Sequence, residues 1–407
     1  MSRKPDFKRI VPMSMSEQFH QLSWDEKPGK PLAPWTYTNP EFFELDYDAF
    51  FLRRWQFVGH ASEVSQVGDF ITHNIGRDNV FVIRGKDEQL RAFKNVCRHR
   101  ASRLLEGPGT CPGTIRCPYH GWTYQMDGSL MAIPQDEIFP DIDKAEYGLH
   151  EIQLESFHGL LFVRVKGDGP SLAEHFGDMG RYLEMYDVTN YVMCAETTTQ
   201  IWNCNWKVAW DNYLENYHIP IGHPGLHRML VESDIGEGLS SGVDFGIFNM
   251  RSKPSNVEVE RRYQELVKHT RARIPEEIQD QWIQFGFAGS HGLDFYPEML
   301  DMFQLIPIAN DKTLIRATYY GHQDPTPEEK EIRGYNIEIN DSVNNEDKTL
   351  CERVQKGLQT NDYEPGPLSQ KEIGIHHFHQ MVRDLVPVAA LQQSPARGQV
   401  AARNEKS

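Results

Sequence analysis

The span Cys97–His120 reads CRHRASRLLEGPGTCPGTIRCPYH and holds two short clusters, C-x-H and C-x2-H, separated by 17 residues. Each cluster offers one thiolate and one imidazole. A two-iron cluster with two thiolates on one iron and two imidazoles on the other needs this ligand set. Glycines and prolines punctuate the span, which favours turns over helices. The sequence therefore predicts an iron–sulfur site at the tips of two hairpins.

Zinc is the alternative occupant, because Cys2His2 sites are common for that metal. Zinc ligands are more often grouped as C-x2-C and H-x3–5-H than as one Cys and one His per loop. A zinc-stapled scaffold would also be colourless.

Cys111 lies between the two pairs and has no place in the pattern, so we interpret it as a passenger thiol.

Composition sets broad limits. The 407 residues are long enough for two or three domains, and 39% hydrophobic with 25% charged residues is ordinary for a globular protein. The net charge of −16 disfavours nucleic acid or an anionic membrane as a partner. We expect no signal peptide, no membrane-spanning helix and no disulfide framework, and therefore a cytoplasmic protein.

Four arginines crowd the cluster loops, namely Arg98, Arg100, Arg103 and Arg116. They could form a positive edge suited to an acidic electron donor, or they could pair with neighbouring carboxylates inside the fold. The sequence favours neither interpretation over the other.

We expect four segments. Residues 1–44 form an N-terminal arm and helix, 45–165 a β-rich domain with the cluster, 166–386 a second domain, and 387–407 a disordered tail. In the second domain, strands are predicted at Val192–Gln200, Met302–Ile308 and Leu314–Tyr320, and helices at Lys207–His218, Val257–Arg271, Pro275–Phe285, Pro327–Gly334, Ser342–Leu358 and Ser369–Leu385, the last with a capping box.

The other informative stretch is Glu215-Asn-Tyr-His218-Ile-Pro-Ile-Gly-His223. On a helix, Glu215 and His218 would share a face, and His223 could fold back once Pro220 has ended that helix. Two histidines with one carboxylate on one side of an iron leave positions open for dioxygen and substrate. The alternative is that these are ordinary core histidines.

Both motifs together resemble the α subunits of Rieske non-haem iron oxygenases over roughly residues 45–385. The second motif reads Asn205-Trp206-Lys207, then Asp211-Asn212-x-x-Glu215-x-x-His218-x4-His223-Pro224. The resemblance implies an α+β fold: an all-β Rieske [2Fe–2S] domain and a catalytic domain with a central antiparallel sheet surrounded by helices, of the helix-grip type. It also implies that Cys97 and Cys117 hold one cluster iron, and His99 and His120 the other.

The resemblance further implies that His218 and His223 bind Fe(II) and that Glu215 bridges the two centres between subunits. Asp is commoner at the position of Glu215. The third ligand would be a distant carboxylate ahead of Glu352-x-Val-Gln-x-Gly357. We predict Asp347, with Glu346 and Asp341 as fallbacks, against the alternative of a solvated helix residue. Asp211 and Asn212 are expected to support the site.

Two external electrons are needed to activate dioxygen at one iron. The chain has no G-x-G-x-x-G fingerprint after a strand and no plant-type ferredoxin motif, so NAD(P)H can serve only indirectly. A separate reductase, with or without a ferredoxin, is implied. The resemblance implies a homotrimer in which His120 of one subunit meets Glu215 and His218 of the next.

The expected substrate is a small organic molecule in a pocket that includes Phe245, Phe248, Phe295, Tyr296 and Met302, with Met299 and Phe303 nearby. Our main prediction is hydroxylation of an aromatic ring, often a carboxylate-bearing one. The alternative is N-demethylation or monooxygenation of a methylated or quaternary amine, held in an aromatic cage. A basic side chain in the pocket would favour the acid, and a carboxylate among aromatics would favour the cation. A non-catalytic electron carrier is the remote alternative.

Overall fold

The computed structural model describes residues 30–406 apart from 140, 238–242, 271–272, 288–289 and 362. The predicted N-terminal arm lies largely outside the described residues. The chain then forms helices α1 (Trp35–Thr38) and α2 (Pro40–Asp46), which continues as π-helical Tyr47–Leu52. Asn39 starts α2 because its side chain accepts the backbone N–H groups of Glu41 and Phe42, and Pro40 occupies a position where no N–H is needed.

Two antiparallel sheets build the cluster-bearing domain. The larger contains β1 (Gln56–His60), β2 (Asp69–Ile75), β3 (Asp78–Arg84), β4 (Leu90–Lys94), β5 (Gly109–Thr110), β9 (Glu151–Phe157) and β10 (Leu160–Arg164), in the order β1-β10-β9-β4-β3-β2-β5. The smaller contains β6 (Ile115–Arg116), β7 (Thr123–Tyr124) and β8 (Leu130–Ala132). Short 3-10 turns lie at Ala61–Val64, Asp136–Ile138 and Lys144–Tyr147. The predicted all-β character is confirmed.

A third antiparallel sheet, the central sheet of the second domain, organises the rest of the chain. Its strands are β11 (Tyr191–Met193), β12 (Thr198–Trp202), β13 (Leu230–Glu237), β14 (Val243–Met250), β15 (Gln281–Phe287), β16 (His291–Tyr296), β17 (Met299–Ala309) and β18 (Lys312–His322). The order is β11-β18-β17-β16-β15-β14-β13, and β12 also pairs with β18.

Helices surround this sheet, as expected for the α+β class. They are α3 (Leu172–Phe176), α4 (Gly180–Met185), α5 (Trp206–Tyr213), α6 (Ile219–Gly222), α7 (Pro224–Met229), α8 (Glu258–Leu266), α9 (Pro327–Leu358), α10 (Ile373–Leu385) and α11 (Val400–Asn404). Further 3-10 turns lie at Gly177–Met179, Val188–Asn190, Val267–His269, Glu276–Ile278, Gln370–Glu372 and Pro387–Ala390. No helix in this part of the chain is both long and apolar enough to cross a bilayer.

Side chains alternate between the two faces of the central sheet. On one face, Phe285, Leu293 and Phe295 pack against Phe176 of α3 and Leu183 of α4. The opposite face turns Trp282, Tyr296 and Met299 toward the 32-residue helix α9, which contributes Ile332 and Ile339. This second face carries the candidate site.

The cluster domain and the central sheet share an interface with specific hydrogen bonds. The Gln304 amide donates to the carbonyl of Phe57 at 3.0 Å, and the Tyr320 hydroxyl donates to Glu63 Oε1 at 2.7 Å. A fully buried ion pair joins Lys207 of α5 to Asp46 of α2. These contacts fix the N-terminal helices and the cluster domain against the sheet.

Several predicted elements differ from the observed ones. The predicted helix Pro275–Phe285 is wrong, because only Glu276–Ile278 is helical and Gln281–Phe287 pairs with both β14 and β16. The aromatic-rich run suits a strand once two neighbours are present. The predicted single strand Val192–Gln200 is two strands, β11 and β12. The two predicted helices between Pro327 and Leu358 are one, α9.

The prediction of a disordered tail from Pro387 onward is also wrong for the described residues. This segment forms a 3-10 turn and the short helix α11. Val388 and Val400 are fully buried in the core that also holds Phe42 and Phe50. Composition alone suggested a polar tail, but these valines anchor it to the N-terminal helices.

Candidate active site

The two cluster loops share one backbone design. Cys97 N–H donates to the carbonyl of Ser102 at 2.8 Å, and Cys117 N–H donates to the carbonyl of Trp122 at 2.8 Å. In each loop the residue four positions after the cysteine donates back to the cysteine carbonyl at 3.1 Å. Those residues are Ala101 and Gly121, both with positive φ. The left-handed turn is easy for Gly121 and costs strain for Ala101.

The loops bring both cysteines together in a buried position. Cys97 and Cys117 are each 3% exposed, and their side chains are in hydrogen-bond contact without a disulfide. The Tyr124 hydroxyl lies 3.2 Å from Cys97 Sγ. Burial raises the pKa of the Cys117 thiol, but the N–H groups of Tyr119 and His120 and the side chains of Cys97 and Ser102 together outweigh it, so the pKa is lowered. Backbone donors aimed at a sulfur fit a metal-bound thiolate.

The histidines of the two loops face each other. The rings of His99 and His120 lie 4.6 Å apart, centroid to centroid. Trp122 stacks on His99, with ring planes 4° apart, and Tyr119 stacks on His120 at 3.8 Å. Nδ1 of His99 is buried, and no described residue hydrogen-bonds it. A buried imidazole nitrogen without a partner fits a metal ligand.

Other polar groups near the loops have different surroundings. Cys111 is buried in the hydrophobic core below the loops as a free thiol. Arg98 bonds the carbonyl of Gly148, whereas the exposed Arg100 lies over the ring of Tyr119. Arg103 pairs with the carboxylate of Glu106 at 3.8 Å, so the ion-pair interpretation holds for this arginine, and the positive edge for an electron donor stays a prediction.

The second motif does not form the predicted continuous helix. Helix α5 ends at Tyr213, because the Glu215 carboxylate accepts the backbone N–H groups of Tyr217 and His218 and holds a turn. Pro220 then lies in the first turn of α6 rather than ending a helix. The expected contact between Glu215 and His218 is nevertheless present, at 2.5 Å from Oε1 to Nδ1.

Three potential metal-binding atoms converge at this turn. His218 Nε2 lies 3.0 Å from His223 Nε2, and Asp347 Oδ1 lies 2.9 Å from His223 Nε2 and 3.6 Å from His218 Nε2. Ligand atoms at right angles around a metal at about 2.1 Å would be about 3.0 Å apart. Two imidazole nitrogens and a carboxylate oxygen this close need a positive charge between them. Among the described residues, this is the one group of three whose ligand atoms are close enough to share a single metal ion.

In both His218 and His223, the second ring nitrogen, Nδ1, is hydrogen-bonded to a carboxylate. Glu215 bonds Nδ1 of His218, and Glu346 bonds Nδ1 of His223 at 2.8 Å. This contact leaves both Nε2 atoms for a metal, the usual pattern for metal-binding histidines. Of the predicted carboxylates, Asp347 reaches the centre and Glu346 orients a histidine. The third, Asp341, is not part of the group.

The two other predicted supporting residues have different positions. Asn212 lines the cavity beside the histidines. Asp211 faces the other way, where it accepts the Tyr37 hydroxyl at 2.7 Å and contacts His379 Nε2 at 3.1 Å. Asp211 therefore ties α5 to α1 and α10.

A cavity of about 300 Å³ opens between these histidines and the central sheet. This volume is at the lower end for small-molecule sites. The walls include Phe248, Trp282 and Tyr296, and the rings of the last two meet edge to face at 4.7 Å. The basic residues Arg251 and Lys371 also line it.

Hydrogen bonds hold the aromatic wall in place. The Asn340 amide donates to the Tyr296 hydroxyl at 2.9 Å, and Trp282 Nε1 donates to the Tyr263 hydroxyl at 2.8 Å. Tyr263 donates to the buried Glu298 carboxylate, and Asn340 reaches the same carboxylate through Asn336. Burial raises the pKa of Glu298 to about 8. A wall fixed in this way presents a preformed apolar surface to a ligand.

Two acidic side chains share the cavity with these aromatics. Asp294 of β16 and Asp301 of β17 are direct cross-strand partners, 6% and 3% exposed. The Tyr213 hydroxyl donates to Asp294 Oδ1 at 2.7 Å. Burial raises the pKa of Asp294 to about 7. Burial, followed by the charges of Asp294 and Asp341, also raises the pKa of Asp301 well above its usual value.

The predicted pocket was partly wrong. Phe248, Tyr296 and Phe303 line the cavity, but Phe295 and Met302 point to the opposite face and pack in the core. The reason is the two-residue period of a strand, which turns neighbouring side chains to opposite faces. Met299 packs behind the wall, and the side chain of Phe245 lies outside the described residues.

Trp282 and the two aspartates were missed. Trp282 fell in the segment mistaken for a helix. The acids were overlooked although an aspartate inside each of two apolar strands was a usable signal.

Comparisons with known proteins agree with this architecture. Residues 54–143 match the Rieske [2Fe–2S] domain, and residues 181–388 match the ring hydroxylating alpha subunit (catalytic domain). The chain therefore belongs to the ring-hydroxylating α-subunit family of Rieske non-haem iron oxygenases. It is an oxygenase component that carries a [2Fe–2S] cluster and a mononuclear iron and takes its electrons from a separate reductase. The predicted family, fold class and cofactors are confirmed.

Individual relatives are moderately similar. The chain is 29% identical over 376 residues to the glycine betaine monooxygenase oxygenase subunit of Pseudomonas aeruginosa, which covers 84% of this chain and 86% of the relative. It is 28% identical over 379 residues to the chloroplastic choline monooxygenase of Beta vulgaris, covering 91% and 80%. The crystal structure of the quaternary ammonium Rieske monooxygenase CntA with substrate L-carnitine aligns with a TM-score of 0.74 and 23% identity, covering 88% and 96%.

Proposed function

We propose that this oxygenase acts on a small amine that carries N-alkyl groups and inserts one oxygen atom into a C–H bond next to nitrogen. The single observation that carries this proposal is the composition of the cavity, in which two buried carboxylates stand beside an aromatic wall. Aromatic faces and carboxylates both favour a cation. A carboxylate among aromatic side chains was expected for a cationic substrate, so the cavity favours oxidation of a methylated amine over hydroxylation of an aromatic ring.

The names of the relatives support the same choice. Glycine betaine, choline and carnitine monooxygenases are named for substrates that share a quaternary ammonium group. Arg251 and Lys371 are exceptions in the lining, since basic groups would suit an acid. Arg251 directly follows β14, which is three strands away from β17 with Asp301, about 14 Å across the sheet, so this guanidinium is set apart from the aspartates. A zwitterion could use both.

The iron would be held by Nε2 of His218, Nε2 of His223 and the carboxylate of Asp347. When bound, it supplies the site at which dioxygen is activated. Glu215 and Glu346 keep the two imidazoles oriented, and the aromatic wall excludes water and places the substrate's N-alkyl group toward the histidines. The cluster would be held by Cys97 and Cys117 on one iron, and by His99 and His120 on the other.

The reaction balances with the established electron supply. Dioxygen takes up four electrons, two from the C–H bond that becomes C–OH and two from the reductase. One oxygen atom enters the substrate and the other leaves as water with two protons. A carbon bearing both hydroxyl and nitrogen then breaks its C–N bond and releases a carbonyl compound, which is formaldehyde when the carbon was a methyl group.

We further propose that the chain works as a head-to-tail homotrimer in which Glu215 of one subunit faces the cluster of its neighbour. Apolar side chains are exposed at both ends of this contact: Tyr217 (63%) and Ile221 (90%) follow Glu215 within six residues of the chain, and Tyr119 (57%) stacks on His120. A contact between two different surfaces closes into a ring when the rotation allows it. The carboxylate of Glu215 could then reach the cluster's imidazole as well as His218.

The test is product analysis with the complete protein and a reductant. Purified oxygenase, reduced and mixed with dioxygen, should convert choline, glycine betaine or their dimethyl analogues and release an aldehyde. Benzoate-type acids should give no hydroxylated product. Hydroxylation of an aromatic acid, with no product from any amine, would overturn the proposal.

A further inference from the structure

The cavity contains a pair of buried aspartates, Asp294 and Asp301, which an aromatic cage for a cation would not need. Asp294 and Asp301 are opposite each other on neighbouring strands, so their side chains leave the same face close together. Like charges in this position destabilise a sheet. Both are more than nine-tenths buried and both line the cavity.

The hydrogen bonding of the pair is incomplete on one side. Asp294 accepts the hydroxyl of Tyr213 and is also bonded by Gln284, its partner on β15. Oδ1 of Asp301 is buried, and no described residue donates a hydrogen bond to it. Buried acceptors are normally paired, and an unpaired carboxylate oxygen is costly. Because Asp301 lines the cavity, a ligand bound there could supply the missing donor.

Charge also points to an external partner. The charged groups that act on Asp301 within the described structure are Asp294 and Asp341, both acids. A divalent cation is a poor candidate, because the one described trio arranged for a metal is His218, His223 and Asp347. An organic cation with an N–H bond meets both needs, since it balances the charge of one ionised aspartate while the other keeps its proton, and it donates a hydrogen bond to Asp301.

This requirement separates two classes of amine. A quaternary ammonium has no N–H and leaves Asp301 without a donor, whereas a protonated tertiary or secondary amine donates one or two hydrogen bonds. The methyl groups of either class can pack on Trp282 and Tyr296. We infer that Asp301, assisted by Asp294, selects N-methylated amines that retain an N–H over permanently quaternary ones. This inference rests on the proposed function and narrows its substrate class.

The chemistry of the selected substrate balances as before. A protonated dimethylamine loses one methyl C–H bond and gains a C–OH bond, with two electrons and two protons supplied from outside and one water formed. The resulting carbinol breaks its C–N bond, leaving the monomethyl ammonium and formaldehyde. The N–H that bonds Asp301 is retained throughout.

Matched pairs of probes test the inference without any mutation. N,N-dimethylglycine is compared with glycine betaine, and N,N-dimethylethanolamine with choline, because each pair differs by one methyl group on nitrogen. Kd is measured by calorimetry on the oxidised holoenzyme, which does not turn over, and kcat/KM from formaldehyde release with the reductase. The dimethyl member should bind at least about tenfold tighter, as expected for a charge-assisted hydrogen bond.

A variant then assigns the preference to Asp301. Asp301→Asn should bring the Kd ratio within each pair close to one. Asp311→Asn removes the same charge from the exposed turn between β17 and β18 and should leave the ratio unchanged. If Asp301→Asn does not fold, judged by the cluster's visible spectrum, the wild-type ratios decide.

The outcomes separate the two proposals. Quaternary members that bind as tightly as their dimethyl partners, or an Asp301→Asn ratio equal to that of the wild type, would overturn the inference and leave the proposed function standing. If no member of either pair binds or is converted, the proposed function fails together with the inference.

Discussion

The two metal centres of this oxygenase are built in opposite ways. The candidate cluster ligands come from two six-residue loops, each closed by the same pair of backbone hydrogen bonds. The candidate iron ligands come from a turn at His218–His223 and from Asp347, 124 positions beyond His223 on α9. The cluster site is set by local backbone geometry, whereas the candidate iron site forms only when the long helix α9 packs across the central sheet.

This difference has physical consequences. In the cluster loops, the cysteine positions are fixed by the turns themselves, so a substitution of one ligand should leave the other loop intact. At the iron site each imidazole is held by a carboxylate on its Nδ1, from Glu215 and Glu346. Because these side chains belong to different elements, the orientation of the ligands depends on tertiary packing.

The largest expected effect comes from removing one centre at a time. Cys117→Ser should abolish the visible spectrum and the activity but keep the mononuclear iron. His223→Ala should do the reverse, with the spectrum kept and product formation lost. Iron analysis and absorbance check both, and His269→Ala, an exposed histidine, serves as the control.

Mixing the two inactive chains sharpens the contrast. Co-assembled trimers of Cys117→Ser and His223→Ala chains contain contacts that join an intact cluster to an intact iron site. If electrons pass between subunits, random mixing should restore about a quarter of the wild-type rate, since one in four ordered contacts is complete. A mixture that stays inactive, although co-assembled, would contradict electron transfer between subunits.

An intermediate effect is expected from the two carboxylates that hold the imidazoles. Glu346→Gln should weaken iron affinity on the order of 10- to 100-fold through His223. Glu215→Gln should do this as well and, because Glu215 lies beside the exposed Tyr217 and Ile221, should also slow reoxidation of the cluster when iron is saturating. Stopped-flow absorbance of the cluster measures this rate, and equal rates in the two variants would remove Glu215 from the electron path.

The smallest effect concerns stability and pH. The pKa of Asp294 is raised from its usual value to about 7 by burial, so the folded state holds a proton that the unfolded state releases above about pH 4. The free energy of unfolding should therefore fall as pH rises from about 4 to about 7, by at most about 1.4 kcal/mol per pH unit for this group. When the free energy of unfolding is measured with urea at several pH values, it should fall less steeply with pH in Asp294→Asn than in the wild type. An unchanged slope would show that Asp294 does not titrate in this range.

The sequence predicted the elements with strong local signals. The capping box at Ser369 and Glu372, the hairpin of β17 and β18 and a helix near the end of the 1–44 segment all form as expected. Errors occurred where tertiary partners decide. Gln281–Phe287 is a strand because β14 and β16 flank it, and α5 stops at Tyr213 because the Glu215 side chain captures the next backbone N–H groups.

The same division holds for the site. The pattern C-x-H with C-x2-H, and the spacing Glu215-x-x-His218-x4-His223, were enough to predict two metal centres and the family. The sequence alone determined these because the ligands of each loop are neighbours in the chain. Only the tertiary structure brought Asp347, rather than Glu346 or Asp341, together with both histidines, and turned Phe248 rather than Phe295 into the cavity. It also placed Asp294 opposite Asp301, because strand register and helix packing set which distant side chains meet.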